Sequence, residues 1–251
     1  MGGPQRRCFP FRLACAATGL ILVPAAWAES ADDDWSSELT VKQLEWQESS
    51  GPDSLMWDVS GWLGTASNRV WIRDEGGSHL SGAARDNRLE LLWGHPLHWW
   101  GLDFEILVGV RHDSGTTPSR TYGALGVQAL LPLGVRFEAT GYLGEGSRFG
   151  EDLHSGIRLQ AERDWRITTR LMLGARAEHE VWSEDHVRYS EGSGPWGWSA
   201  GLRLRYAVAE SVAPYVGVEW FELVDDTASL ATQAGESASE TRLVAGFRLQ
   251  F

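Results

Sequence analysis

The chain has 251 residues, a formal charge of -12, 43% hydrophobic residues, 29 glycines and 14 tryptophans, with a mean hydropathy of -0.26. No apolar run of about 18 residues occurs outside the extreme N-terminus, which argues against a bundle of transmembrane helices. The balance is acidic and Lys42 is the single lysine among 22 basic residues, the arginines being scattered between acids, which argues against a basic nucleic-acid-binding patch.

Residues 1–28 place Arg6, Arg7 and Arg12 before the apolar stretch Leu13 to Val23, then Pro24 and the small-x-small pattern Ala26-Trp27-Ala28. This predicts a secretory signal peptide cleaved before Glu29. An N-terminal anchor is the other reading, but the apolar stretch is short for a bilayer. Both cysteines, Cys8 and Cys15, fall in that segment, so the exported chain would have no disulfide and no thiolate metal site. Losing three arginines and no acid takes the charge from -12 to -15.

A short acidic segment is expected over 29–37, with Asp32, Asp33 and Asp34, and a single β-domain over 38–251. Throughout the latter, apolar and polar residues alternate in segments of roughly ten, the period of a strand with two unlike faces. Leu102, Phe104, Ile106, Val108 and Val110 oppose Asp103, Glu105 and Arg111; Val135, Phe137 and Ala139 oppose Arg136, Glu138 and Thr140. Ile157 and Leu159 oppose Arg158 and Gln160; Leu171 and Leu173 oppose Met172; Leu202 and Leu204 oppose Arg203 and Arg205. Strands are predicted at 38–47, 55–64, 69–76, 87–95, 99–111, 120–131, 134–143, 153–164, 169–180, 196–207, 213–223 and 240–251.

Alternation alone does not choose between a soluble sandwich and a membrane barrel, because either buries one face. Connection lengths do choose. Short connectors (65–68, 96–98, 132–133, 165–168, 208–212) alternate with long polar ones (48–54, 77–86, 112–119, 144–152, 181–195, 224–239). Short turns on one rim, long loops on the other and an even strand count near twelve predict a transmembrane antiparallel up-and-down β-barrel in the outer membrane, with both termini on the short-turn, periplasmic side. Trp57, Trp62, Trp71, Trp93, Trp99, Trp100, Trp165, Trp196, Trp198 and Trp220 are expected to form interfacial girdles. The last strand ends on Phe251, which resembles the assembly signal of bacterial outer-membrane barrels.

A twelve-strand lumen is narrower than the channels of 16–18-stranded porins, and its inward Arg and Glu are expected to pair as cross-strand ladders. A functional reading is a polar path or binding surface for a cation. Imidazoles and thioethers are the candidate ligands for a soft or borderline metal: His79, His95, His98, His112, His154, His179, His186, Met56 and Met172. His112-Asp113 and Glu178-His179 lie where strands enter long loops, Met172 is the mid-strand thioether on the charged face, and Glu105 adds a carboxylate. The candidate set is His112, Asp113, Met172, His179, Glu105 and Glu178, although no spacing is diagnostic and residues of this kind are more often loop or rim residues than ligands. A barrel lipase or protease needs a nucleophile or activated water beside a His and an acid. Ser155 after His154, and Ser183 to His186, supply the residue types without a motif; a generic small-solute channel is the other alternative.

Several blocks resemble one family. Gln43-Leu44-Glu45-Trp46, Met56-Trp57-Asp58, Gly61-Trp62-Leu63-Gly64, Asn68 through Gly76, Gly109-Val110-Arg111-His112-Asp113, Ala213 through Trp220 and Thr241 through Gly246 are similar to the copper resistance protein B family over nearly all of 39–251. The resemblance implies a non-enzymatic outer-membrane barrel of a copper-resistance system, set in lipid, with copper ions as ligand or cargo between periplasm and exterior, and a periplasmic multicopper oxidase as companion. Family members often carry a Met- and His-rich segment before the barrel; here 29–37 has neither residue, which puts copper collection by such a tail in doubt.

Overall fold

A computed structural model describes residues 34–48, 53–80, 85–115, 119–144, 154–182, 197–224, 228, 232 and 237–251. The leader predicted over 1–28, most of 29–37, and Ser183 to His186 and Trp196 lie outside them.

Twelve strands form one antiparallel sheet: β1 (Ser36–Glu48), β2 (Ser54–Gly64), β3 (Arg69–His79), β4 (Arg85–Trp99), β5 (Leu102–Ser114), β6 (Arg120–Leu131), β7 (Val135–Gly144), β8 (His154–Arg166), β9 (Leu171–Trp182), β10 (Gly197–Tyr206), β11 (Val212–Leu223) and β12 (Ser239–Gln250). Each pairs with its chain neighbours, and β1 closes on β12, so the sheet is a barrel without an edge. In hydrocarbon every backbone N–H and C=O needs a partner within the protein, and closure supplies it. Among the described residues no helix is long and apolar enough to cross a membrane; the crossing is made by strands of 10–15 residues, each long enough for the 9–11 that a tilted strand needs.

The exterior is oily. Val70, Ile72, Leu91, Val108, Val110, Leu125, Ile157, Val216 and Leu243 all stand exposed on the outer wall. The inner wall is charged and covered: Glu45, Asp58, Arg73, Glu90, Arg111, Arg158, Glu180 and Arg203 are buried. Low mean hydropathy is thus an average over two opposite faces of the same strands.

The β2–β3, β4–β5, β6–β7, β8–β9 and β10–β11 connections are short, and the first and last strands end on that rim, with Phe251 N–H donating to the Leu39 carbonyl at 2.9 Å. Two of these turns are tight enough to need left-handed backbone. Trp100 and Gly101 both have positive φ, 52° and 75°, the signature of a two-residue hairpin turn matched to strand twist.

That turn lies beyond where the sequence places it. Pro96-Leu97-His98, predicted as a connector, is strand, and β4 runs on to Trp99. The proline is tolerated because β3 begins at Arg69, opposite Gly94; beyond that point β4 pairs only with β5, and the missing N–H faces no partner. Pro214 repeats the device one residue past the last β10–β11 pair, Arg205–Tyr215.

β1 contains the one irregularity that matters for the lumen. Its register slips between Val41 and Gln43 against β2, and between Val41 and Leu44 against β12. This bulge at the closing seam lets Lys42 line the interior together with Gln43.

Candidate functional site: the charged lumen

Inward positions on β4 to β9 carry a packed block inside the barrel. Leu92, Leu107, Tyr122, Ala124, Tyr142 and Trp182 form a buried cluster, with Trp71 against it. His154 stacks on Trp182 with ring centroids 4.8 Å apart and planes 9° from parallel. The Arg111 guanidinium lies over Tyr142 at 4.5 Å, Trp182 at 5.2 Å and Tyr122 at 5.7 Å, a cation–π arrangement that strengthens where water is excluded. The Tyr142 hydroxyl donates to Glu90 at 2.6 Å.

The rest of the lumen is crossed by ion pairs. Arg176 (β9) reaches Asp58 (β2) at 2.6 Å; Arg158 (β8) reaches Glu75 (β3) at 2.6 Å and Glu178 (β9) at 2.7 Å. Arg88 (β4) and Arg111 (β5) converge on Glu180 (β9) at 2.8 and 3.0 Å. Arg73 (β3) holds Glu138 (β7) at 2.5 Å, and Arg203 (β10) holds Glu45 (β1) at 2.7 Å. Some expected ladders are present between adjacent strands, such as Arg136–Glu162 at 3.2 Å. The principal pairs, however, span the barrel and brace opposite walls. Buried charges endure here because each is met by several donors or acceptors; removing one member leaves the other uncompensated.

The six favoured ligand candidates separate. His112 faces outward near the long-loop rim, its Nδ1 2.8 Å from the Thr121 hydroxyl. His179 also faces outward, Nδ1 2.9 Å from the Gly197 carbonyl. Asp113 and Glu178 face inward in the long-loop half, Asp113 held by two Arg111 nitrogens at 2.8 Å and Glu178 by Arg158 and Arg176. Glu105 lies in the short-turn half, accepting from Trp71 Nε1 at 2.8 Å and Gln128 Nε2 at 2.7 Å.

Met172 is inward but is the second residue of β9 rather than mid-strand. It sits at the short-turn end, while His112, the eleventh residue of β5, lies roughly 30 Å further along the strands at ~3.3 Å per residue. The structure therefore does not bring these two together. Among the described residues no group of three His, Cys, Asp or Glu side chains is placed to hold one metal ion. His154 faces the lumen and Ser155 the outer wall, since neighbouring strand residues point oppositely; the imidazole cannot serve that hydroxyl as base.

The girdle is real but smaller than expected. Trp93, Trp99, Trp100, Trp165, Trp198 and Trp220 are exposed. Trp62 and Trp71 instead face inward, with Nε1 donating to Glu38 at 3.4 Å and Glu105 at 2.8 Å. A tryptophan in the charged register of its strand was the available signal for this.

An edgeless antiparallel barrel with an oily exterior, short turns on one rim and an ion-paired interior defines an outer-membrane β-barrel protein. The solved NanC porin has the same fold, with a TM-score of 0.53 at 11% identity, covering 85% of this chain and 99% of that one. Residues 35–251 match the family described as Copper resistance protein B precursor (CopB), and the chain belongs to that family. Copper resistance protein B of Escherichia coli is 33% identical over 210 residues, 83% of this chain and 67% of the relative. The homolog of that protein in Pseudomonas syringae pv. tomato is 31% identical over 220 residues, 88% of this chain and 71% of the relative. The protein is located in the outer membrane.

Proposed function

We propose that this barrel binds copper ions or passes them between the periplasm and the exterior, as a non-enzymatic part of a copper-resistance system. The observation that carries this reading is the family match across the whole barrel, residues 35–251. Copper is cargo or ligand here, not a resident cofactor. The chemistry available to it is imidazole and thioether, which suit Cu(II) and Cu(I) respectively, together with lumen carboxylates.

The six candidates then divide by station. Glu105 and Met172 lie toward the periplasmic rim, Asp113 and Glu178 toward the exterior, and His112 and His179 on the outer wall beside the long loops. A copper ion moving through the lumen would compete with arginine for Asp113 and Glu178, so entry is coupled to loosening of the braces. The companion we propose is a periplasmic multicopper oxidase, and residues 1–28 are proposed to be the export leader, with 29–37 a short acidic lead-in. Deleting the chain from its host should lower copper tolerance and change cell-associated copper. Unchanged tolerance and unchanged copper content would overturn the proposal.

A further inference from the structure

The bulge in β1 points to a site that the copper reading does not use. A small, partly open cavity is lined by Lys42, Arg176, Arg203, Arg205 and Arg248, with Glu162 as the one carboxylate in its lining. It lies in the short-turn half: Arg205 is the penultimate residue of β10, and Arg248 lies two residues before the end of β12. Three of the cations are matched, Arg176 by Asp58 at 2.6 Å, Arg203 by Glu45 at 2.7 Å, and Arg205 by Asp164 through Nη1 at 2.6 Å.

Two are met only at longer range, Lys42 and Arg248 both by Glu162 and Arg248 also by Asp164. Lys42 comes no nearer than 4.0 Å to Asp58, a carboxylate that Arg176 already holds. Arg248 faces inward and makes no hydrogen bond and no ion pair with any described residue. In addition, the Arg205 side chain is nine-tenths buried, yet its Nε–H has no partner among the described residues. A buried donor left unmade costs roughly 1–3 kcal/mol, so natural proteins keep few of them without a ligand, a water or a functional reason.

Local structure maintains this arrangement. A bulge is a device that re-aims a side chain, and here it aims the only lysine of the chain into the barrel. Gly174 lines the same cavity, and a Cβ there would collide with the Arg205 guanidinium; the missing side chain is the space that Arg205 occupies.

We propose that this periplasm-facing cavity is a binding site for a small oxyanion, the chemical class of inorganic phosphate and small carboxylates. Guanidinium forks and an ammonium converging from four strands match the several oxygens of such an anion better than a monatomic ion. The site is inside the barrel wall, where lipid headgroups do not reach, so the ligand is a soluble anion of the periplasm.

The test is isothermal titration of inorganic phosphate into the full chain folded in detergent, in copper-free and phosphate-free buffer. Saturable binding of one phosphate per barrel is expected. Arg248→Gln and Lys42→Gln should each weaken it about tenfold, whereas Arg170→Gln, an exposed turn residue, should not. Heat-modifiable migration on gels verifies that each variant is folded; should Arg248→Gln fail, Lys42→Gln, whose nearest carboxylate lies 4.0 Å away, decides. No saturable heat in the wild type, or equal affinity in the Lys42 variant, overturns the site. Because copper is absent throughout, either outcome leaves the copper proposal to its own test.

Discussion

Glu180 is the residue through which the cross-lumen bracing can be measured. Its carboxylate, 3% exposed on the side chain, accepts from Arg88 at 2.8 Å, Arg111 at 3.0 Å and Trp182 Nε1 at 3.1 Å. Substitution by Ala strands two buried guanidinium groups, but only in part. Arg111 keeps both nitrogens on Asp113 at 2.8 Å, and Arg88 keeps Glu75 at 3.5 Å. Breaking a buried pair costs ~3–5 kcal/mol, and with these remaining partners the expected loss is at the low end, ~3 kcal/mol. Urea unfolding of the barrel in micelles reads it as a lower midpoint with an unchanged slope. Asp103→Asn is the comparison. The His98–Asp103 contact is equally short at 2.7 Å, but its side chains are 67% and 84% exposed, and a surface pair is worth less than ~1 kcal/mol. Should Glu180→Ala cost no more than Asp103→Asn, the lumen pairs are not braces and the reasoning fails.

Further outcomes follow from the same geometry. Leu125→Arg, midway along β6 on the oily wall and 63% exposed there, should cost ~2–4 kcal/mol by the same unfolding measurement; a neutral result would mean that this face does not meet lipid. Trp182→Ala empties the centre of the aromatic block and should cost about 3 kcal/mol or more, with loss of near-ultraviolet circular dichroism. Arg176→Gln removes the brace to Asp58 and should raise single-channel conductance in planar bilayers; current equal to wild type would place the constriction elsewhere. Replacing His112 and Met172 together should lower copper affinity, and because they lie at opposite ends of the barrel, the single substitutions should act independently. An unchanged titration in the double variant would send the copper site to other residues.

The barrel is legible in the sequence because its cause is local. A strand with one face in lipid and one in a polar lumen must alternate with period two, and an up-and-down topology must alternate its loop lengths. What alternation does not carry is position around the ring. Arg158 and Glu178 meet across adjacent strands, as a ladder would predict, but Arg176 meets Asp58 across the barrel, 118 residues away, a contact fixed by closure and stagger alone. The same gap explains Trp62 and Trp71. Trp62 precedes the first short turn and Trp71 follows it, so both read as girdle, while their strand register, shared with Asp58 and Arg73, places them inside.

Pro96 misleads in the opposite direction. Proline is a turn signal wherever both neighbours of a strand are present; at the ragged end of a barrel one neighbour has already stopped, and the strand continues through it. The bulge at Lys42 is invisible for a related reason. One extra residue shifts register without changing composition, yet it decides whether the only lysine faces lipid or lumen. Of the ligand candidates, sequence gives rim or face, and the structure adds that Met172 and His112 belong to opposite ends.

The measurement that most directly tests copper handling is titration of the purified, detergent-folded chain with Cu(I) and with Cu(II), set beside a control barrel of equal size. Saturable binding by at least one oxidation state, tighter than in the control, is the predicted result. Binding no tighter than the control for both ions would contradict it.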